Sequence, residues 1–217
     1  MFKILSLAFF VSAAYGQEKI FHLNTVDGLD VLNAKAEGVE YRGRRAVKLV
    51  PVKASNDESM LAILAKSDFK NGTIEVDLAG APRAGTPPDS RGFIGIAFRV
   101  RPKASGFECF YLRPTNARAD DQLRRNHSAQ YVSEPEFPWP RLRKENPGMY
   151  ESYVDLDPGA WTKVKIVVAG KTARLFVNGA QEPCLIVNDL KLGESEGPIA
   201  LWAHVTTDGY FSELRIR

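Results

Sequence analysis

Between Arg113 and Tyr131 the chain reads RPTNARADDQLRRNHSAQY, nineteen residues that hold four arginines, two adjacent aspartates, two asparagines, two glutamines and a histidine. Groups of these types support two kinds of chemistry. Ionised carboxylates and forked guanidiniums make paired, charge-assisted hydrogen bonds that suit the vicinal hydroxyls of a sugar. Two carboxyl groups set across a glycosidic bond supply the acid and the base or nucleophile of hydrolysis. A sugar ring also offers an apolar side to aromatic faces, and Tyr111, Tyr131, Trp139 and Tyr150 flank or close the stretch. We therefore expect a carbohydrate or glycan ligand, contacted by Arg113, Asn116, Asp120 and Asp121 and by Arg124, Arg125, Asn126 and Gln130. Tyr131 and Trp139 would supply ring faces.

Catalysis is a separate question. As acids or bases the candidates are Asp120, Asp121, Glu134 and Glu136. Asp120 and Asp121 are adjacent and have arginines on both sides, which favours the ionised form and so acceptance of hydrogen bonds rather than donation of a proton. Glu134 and Glu136 lie in a stiff, proline-interrupted segment, EPEFP, which need not reach a groove. The balance favours binding without cleavage of simple polysaccharides. The three histidines, His22, His127 and His204, show no ligand spacing, and the two cysteines form no CxxC or HExxH-type motif. No metal site or cofactor is implied by these patterns, with calcium left open. His127 alone sits in the rich stretch, where it reads as a polar loop residue.

Charge excludes one class of partner. From Arg113 to Glu145 seven basic side chains interleave with five acidic ones, and the whole chain carries a formal charge of only +3. A nucleic-acid groove is far more one-signed. The interleaved pattern also leaves room for a protein partner at the same loop.

The positioning elements are strands. In GTIEVDLAG, Ile74, Val76 and Leu78 alternate with Glu75 and Asp77, the period-two pattern of a half-buried strand. WTKVKIVVAGKTARLFVNG repeats it on both sides of Ala-Gly-Lys-Thr, which predicts a hairpin. VEYRGRRAVKLV, GFIGIAFRVR, FECFYLRP, YESYVDL, CLIVNDL, GPIALWAHV and YFSELRIR add further strands, while SMLAILAKSDF is open between strand and short helix. Alternation sets Ile94, Ile96 and Phe98 against Arg99, and Phe110 and Leu112 against Tyr111 and Arg113. If the aliphatic sets fill the core, Arg99, Tyr111 and Arg113 floor a groove on the other face, rimmed by the polar stretch. Many short strands and few helical periods predict an all-β fold, a two-sheet antiparallel sandwich. The segment 114–148 is too long for a plain connection and is expected to form or cover a site, and AGTPPDSR at 84–91 to be an exposed loop.

Residues 1–16, MFKILSLAFFVSAAYG, have the layout of a cleavable secretory leader, with an early lysine, a short apolar run and small residues before Gln17. The mature domain would span 17–217, be secreted or periplasmic, and enter no membrane after cleavage, since the apolar run is below the roughly 20 residues a span requires. In that compartment Cys109 and Cys184 could bridge, but two unpaired thiols in different strands is the expected state.

SDFKNGTIEVDLAG, GFIGIAFRVR, WTKVKIVVAGKTARLFVNG and GPIALWAHVTTDGYFSELRI, taken in order, resemble the strand series of the concanavalin A-like lectin/glucanase superfamily. Among its branches the laminin-G-like and 3-keto-disaccharide hydrolase-type domains are most similar, over roughly residues 60–217. The resemblance implies a jelly-roll sandwich with one concave face. It admits three activities: a lectin-like binder, a glycoside hydrolase, or an adhesion module. Glu75-Val-Asp77 begins like the E-x-D-x-x-E signature of the superfamily's laminarinase-like glycosidases, but Gly80 stands in the third carboxylate's place and supplies no acid. Gly193-Glu-Ser195-Glu-Gly197 matches a nucleophile elbow in letters only, since Pro198 and a strand follow it where a helix is required.

Overall fold

The computed structural model describes residues 18–52 and 59–217; the proposed leader lies outside them. Fifteen strands follow one another: β1 (Lys19–Phe21), β2 (Leu29–Leu32), β3 (Ala34–Tyr41), β4 (Arg44–Pro51), β5 (Ser59–Leu64), β6 (Gly72–Pro82), β7 (Ile94–Phe98), β8 (Phe107–Leu112), β9 (Ala129–Glu134), β10 (Glu151–Ser152), β11 (Thr162–Ala169), β12 (Thr172–Val177), β13 (Leu185–Val187), β14 (Ala200–His204) and β15 (Thr207–Ile216). Among the described residues two short α-helices, α1 (Gln122–Arg125) and α2 (Trp139–Glu145), flank β9, and a 3-10 turn covers Pro114–Arg118.

The strands form two antiparallel sheets. One runs β13-β12-β11-β6-β15-β4-β3, with β1 added against β15, and the other runs β10-β9-β8-β7-β14-β5-β2. This is the expected jelly-roll sandwich. Its hydrophobic layer lies between the sheets, where the period-two pattern places it. Ile74, Val76 and Leu78 face Ile94, Ile96, Phe98, Phe110 and Leu112, all 2% exposed or less. Fully burying each such side chain contributes roughly 1.5–3 kcal/mol. The hairpin at Gly170 is present, with Ala169 paired to Thr172 and Gly170 at a positive φ of 59°, a conformation glycine adopts without steric cost.

SMLAILAKSDF resolves as strand: Ser59–Leu64 pairs with β14 on one side and β2 on the other. Residues buried on both sides of a central strand lose their alternation, which is why this run carried a mixed signal. The polar stretch also holds a strand that the sequence did not reveal. β9 pairs with β8 from Leu112↔Ala129 to Phe107↔Glu134, so Gln130 and Tyr131 belong to the sheet rather than to a rim. Cys109 lies in β8 and Cys184 just before β13, in opposite sheets, and both are free thiols. No described helix is long and apolar enough to cross a membrane.

Candidate functional site

The site lies on the outer face of the seven-stranded sheet. The pairings Gly95↔Tyr111 and Trp202↔Gly95 bring β8, β7 and β14 side by side. With no side chain at Gly95, Tyr111 and Trp202 stack across it at 4.9 Å, and Phe93 meets Tyr111 edge-on at 6.0 Å. A Cβ at Gly95 would stand 2.6 Å from the Tyr111 Cβ, so this layer requires glycine there. Above the aromatic layer opens a cleft of about 860 Å³, lined by Phe93 just before β7 and His204 of β14, by Arg113, Asn116, Asp121, Leu123, Arg124 and His127 from the β8–β9 connection, and by Trp139 and Arg143 from α2. Pro87, Asp89, Ser90 and Arg91 of the loop before β7 close another side.

Arg113 is the hub of the floor. It leaves the end of β8 and is almost fully buried. One guanidinium nitrogen donates to the carbonyl of His127 at 2.9 Å and to Oε1 of Glu151 at 3.2 Å, and the other donates to the Tyr111 hydroxyl at 2.9 Å and to Oε1 of Gln130 at 3.0 Å. Its plane also lies 5.8 Å from the Phe93 ring centre and 6.0 Å from that of Trp139. Arg143 reaches the same Glu151, with Nε 2.8 Å from Oε2, and sits 4.6 Å from the Trp139 ring centre. The Nε2 of His127 lies 3.5 Å from Oε2 of Glu151.

These charges fix the protonation states. Burial alone would raise Glu151, but the bond from Arg143 and the charges of Arg113, Arg143 and His127 hold its carboxyl below the ordinary carboxylate range. His127 moves down from its ordinary value: burial and the two arginines outweigh the pull of Glu151. It therefore faces the cleft as a neutral imidazole at neutral pH, with an ionised carboxylate behind it.

The β8–β9 connection is braced from within. Asp121 caps α1, its Oδ1 accepting from the Arg124 amide at 2.6 Å. Nε of Arg124 donates to Oδ1 of Asn116 at 3.1 Å, and Nδ2 of Asn116 donates to the His127 carbonyl at 3.0 Å.

Of the residues expected from sequence, Arg113, Asn116, Asp121, Arg124 and Trp139 meet in the cleft. The others are placed elsewhere. Arg99 is fully buried beyond the end of β7, donating to the carbonyls of Lys70, Gly170 and Gly193; it leaves the strand at a positive φ of 53°, so alternation no longer predicts its side. Tyr111 is buried beneath the cleft, its hydroxyl taken by Arg113. Gln130 and Tyr131 are buried in β9, where Gln130 braces Arg113 and Tyr131 donates to Glu108 between the sheets at 2.5 Å. Arg125 bonds the Tyr153 hydroxyl, and Asn126 lines a smaller neighbouring depression. Asp120 is exposed and is not part of the cleft lining. Glu134 lines a separate depression with Leu32, Ser59 and Phe107, and Glu136 is exposed. Glu75 and Asp77 pair with Arg217 and Arg44 on the opposite sheet, and a Cβ at Gly80 would lie 2.6 Å from Ile94, which leaves no room for a third carboxylate.

Sequence reasoning missed Asp89, Arg91, His127, Arg143, Glu151 and His204. Among the described residues no group of three or more His, Cys, Asp or Glu side chains is placed to hold a metal ion.

The two antiparallel sheets form a jelly-roll sandwich, the fold of the solved structures to which the chain is similar. Within it, the chain belongs to the 3-keto-alpha-glucoside-1,2-lyase-like domain family, whose model matches residues 24–217. No curated protein matches it in sequence. Among solved structures it is similar to the carbohydrate binding module CBM66 from Bacillus subtilis, with a TM-score of 0.59, 13% identity, and 88% of this chain and 96% of that one covered. A Bacillus subtilis protein of unknown function with a galectin-like fold gives 0.60 at 10% identity, covering 92% and 94%. The Bacillus licheniformis beta-glucanase gives 0.51 at 9%, covering 93% and 98%. At such identities these likenesses speak for the fold alone.

Proposed function

We propose that the chain is an exported carbohydrate-binding domain whose cleft holds a sugar without hydrolysing ordinary glycosides. One observation carries this reading. Arginine forks, carboxylates and the ring faces of Phe93 and Trp139 converge on a single cleft of about 860 Å³, a size typical of small-molecule sites, which run from about 300 to 1,000 Å³. That combination matches a sugar's alternating hydroxyl edges and apolar faces. The family and the carbohydrate binding module among its structural neighbours support the ligand class. The leader-like residues 1–16 support export. No cofactor is part of the proposal.

Hydrolysis of an ordinary glycoside needs an acid and a partner about 5–10 Å apart across the scissile bond. The carboxylates in the cleft lining are Asp89, exposed at the rim, and Asp121, whose Oδ1 caps α1. Asp121 is thus committed to the helix cap and Asp89 stands in solvent, so neither has a partner carboxyl group set across a bound glycosidic bond.

A second reading is favoured by His127 and Glu151. A neutral imidazole backed by an ionised carboxylate suits removal of a proton next to a ketone. On a 3-keto-glucoside, the C2–H bond would break with the proton going to His127. Its electrons would form C1=C2, the C1–O bond would break, and the alcohol would leave with a proton returned from the imidazolium. The family's description supports this reaction class.

A glycan-array screen with product analysis, run beside a 3-keto-glucoside incubation, tests both readings. Binding without products supports the first reading, and enone formation lost in His127→Gln supports the second. Silence in every arm would contradict both and favour a protein-interaction module.

A further inference from the structure

The cleft carries arginine charge that its own carboxylates leave uncompensated. Arg113 and Arg143 are both engaged by Glu151. Arg91 and Arg124 line the same cleft, and among the described residues no ion pair joins either of them to a carboxylate. They are held near each other by one bridge. The Thr115 amide and hydroxyl both donate to the Arg91 carbonyl, at 3.4 and 3.3 Å, and the Arg124 guanidinium reaches the same hydroxyl at 3.5 Å. Arg124 is further held by its Nε bond to Asn116, and its side chain lines the cleft.

The proximity of the two arginines is unfavourable. Burial and the neighbouring Arg124 and Arg113 pull Arg91 below the ordinary arginine range, with Asp89 acting against them. Asp121, the other nearby acid, is turned to the Arg124 amide. An anion placed between two such forks would relieve their repulsion and accept bidentate hydrogen bonds.

We infer that the sugar taken by the cleft carries a carboxylate, as a uronic acid does, held by the guanidiniums of Arg91 and Arg124. This rests on the carbohydrate reading above and names the class of sugar within it. Phe93 and Trp139 offer ring faces in the same cleft.

Calorimetric titration with matched pairs tests it: an oligogalacturonate against its methyl ester, and an oligoglucuronate against an oligoglucan, each at low and high salt. The expected result is at least tenfold tighter binding of the acidic member, with that advantage shrinking as salt rises. In Arg91→Gln and Arg124→Gln the acid-to-neutral ratio should fall toward one. Should either variant fail to fold, the salt series on the native protein decides alone. Equal affinity for both members of each pair overturns the uronate assignment and leaves the carbohydrate reading standing. Absence of binding to every sugar, neutral or acidic, overturns the carbohydrate reading itself.

Discussion

Arg113 and Glu151 stand 3.2 Å apart beneath the cleft with side chains only 5% and 3% exposed. They are 38 residues apart in the chain, and their meeting ties the end of β8 to β10 and, through Arg143, to α2. A buried pair of this kind adds little over an apolar substitute, but losing one partner leaves an uncompensated charge.

Glu151→Gln should therefore destabilise the fold by about 3–5 kcal/mol, read by urea unfolding at pH 7. The pH dependence has a definite sign. The folded carboxyl titrates below its ordinary value, so the unfolded state binds more protons on the way down. The stabilisation is complete above the ordinary glutamate pKa of about 4.3 and is lost as pH falls through the folded value. Part of the wild-type acid limb should be missing from the variant; superimposable limbs would count against the buried pair.

Arg99 makes the opposite kind of prediction from a ligand contact. It serves the carbonyls of Lys70, Gly170 and Gly193 from a fully buried position. Arg99→Met should cost about 3 kcal/mol, the order expected for leaving buried acceptors without a charged donor. Sugar affinity of the folded fraction should stay unchanged. A variant of native stability with impaired binding would return Arg99 to the site.

Trp139 is 43% exposed at the mouth of the cleft, where little packing depends on it. Trp139→Ala should weaken sugar binding by about 1 kcal/mol, in line with an aromatic stacking contact, with a near-native melting temperature. A large loss of stability would make the ring a packing element instead.

If His127 is the base of an elimination, its lowered pKa sets the pH profile. The base form persists as pH falls below the ordinary histidine value of about 6.5, so the rate should hold through that value and decline only at lower pH. Rates against pH on a 3-keto-glucoside check this. A decline already centred above pH 6.5 would contradict it.

The sandwich was legible in the sequence because period-two alternation is a local property: GTIEVDLAG states both its strand and its buried face within nine residues. The polar stretch was legible as a site for a similar reason, since Arg113, Asn116, Asp121 and Arg124 are near in sequence as well as in space. His204 was not, because its place in the cleft depends on β14 lying against β7, and Arg91 was not, because it meets the polar stretch through β7 lying against β8 and through Thr115; no spacing encodes these pairings. Glu151 was hidden in a strand of two residues. Arg99 misled because its backbone turns to positive φ one residue after the strand ends.

The most direct test of the central claim is a crystal structure with a glycan taken from the array. The account predicts a sugar ring in the cleft among Phe93, Trp139, Arg113 and Arg124. The opposite sheet supplies an internal control. There Tyr41 stacks on Tyr210 at 3.7 Å, with Trp161 edge-on at 5.8 Å. A sugar bound over those rings with the cleft left empty would contradict the account.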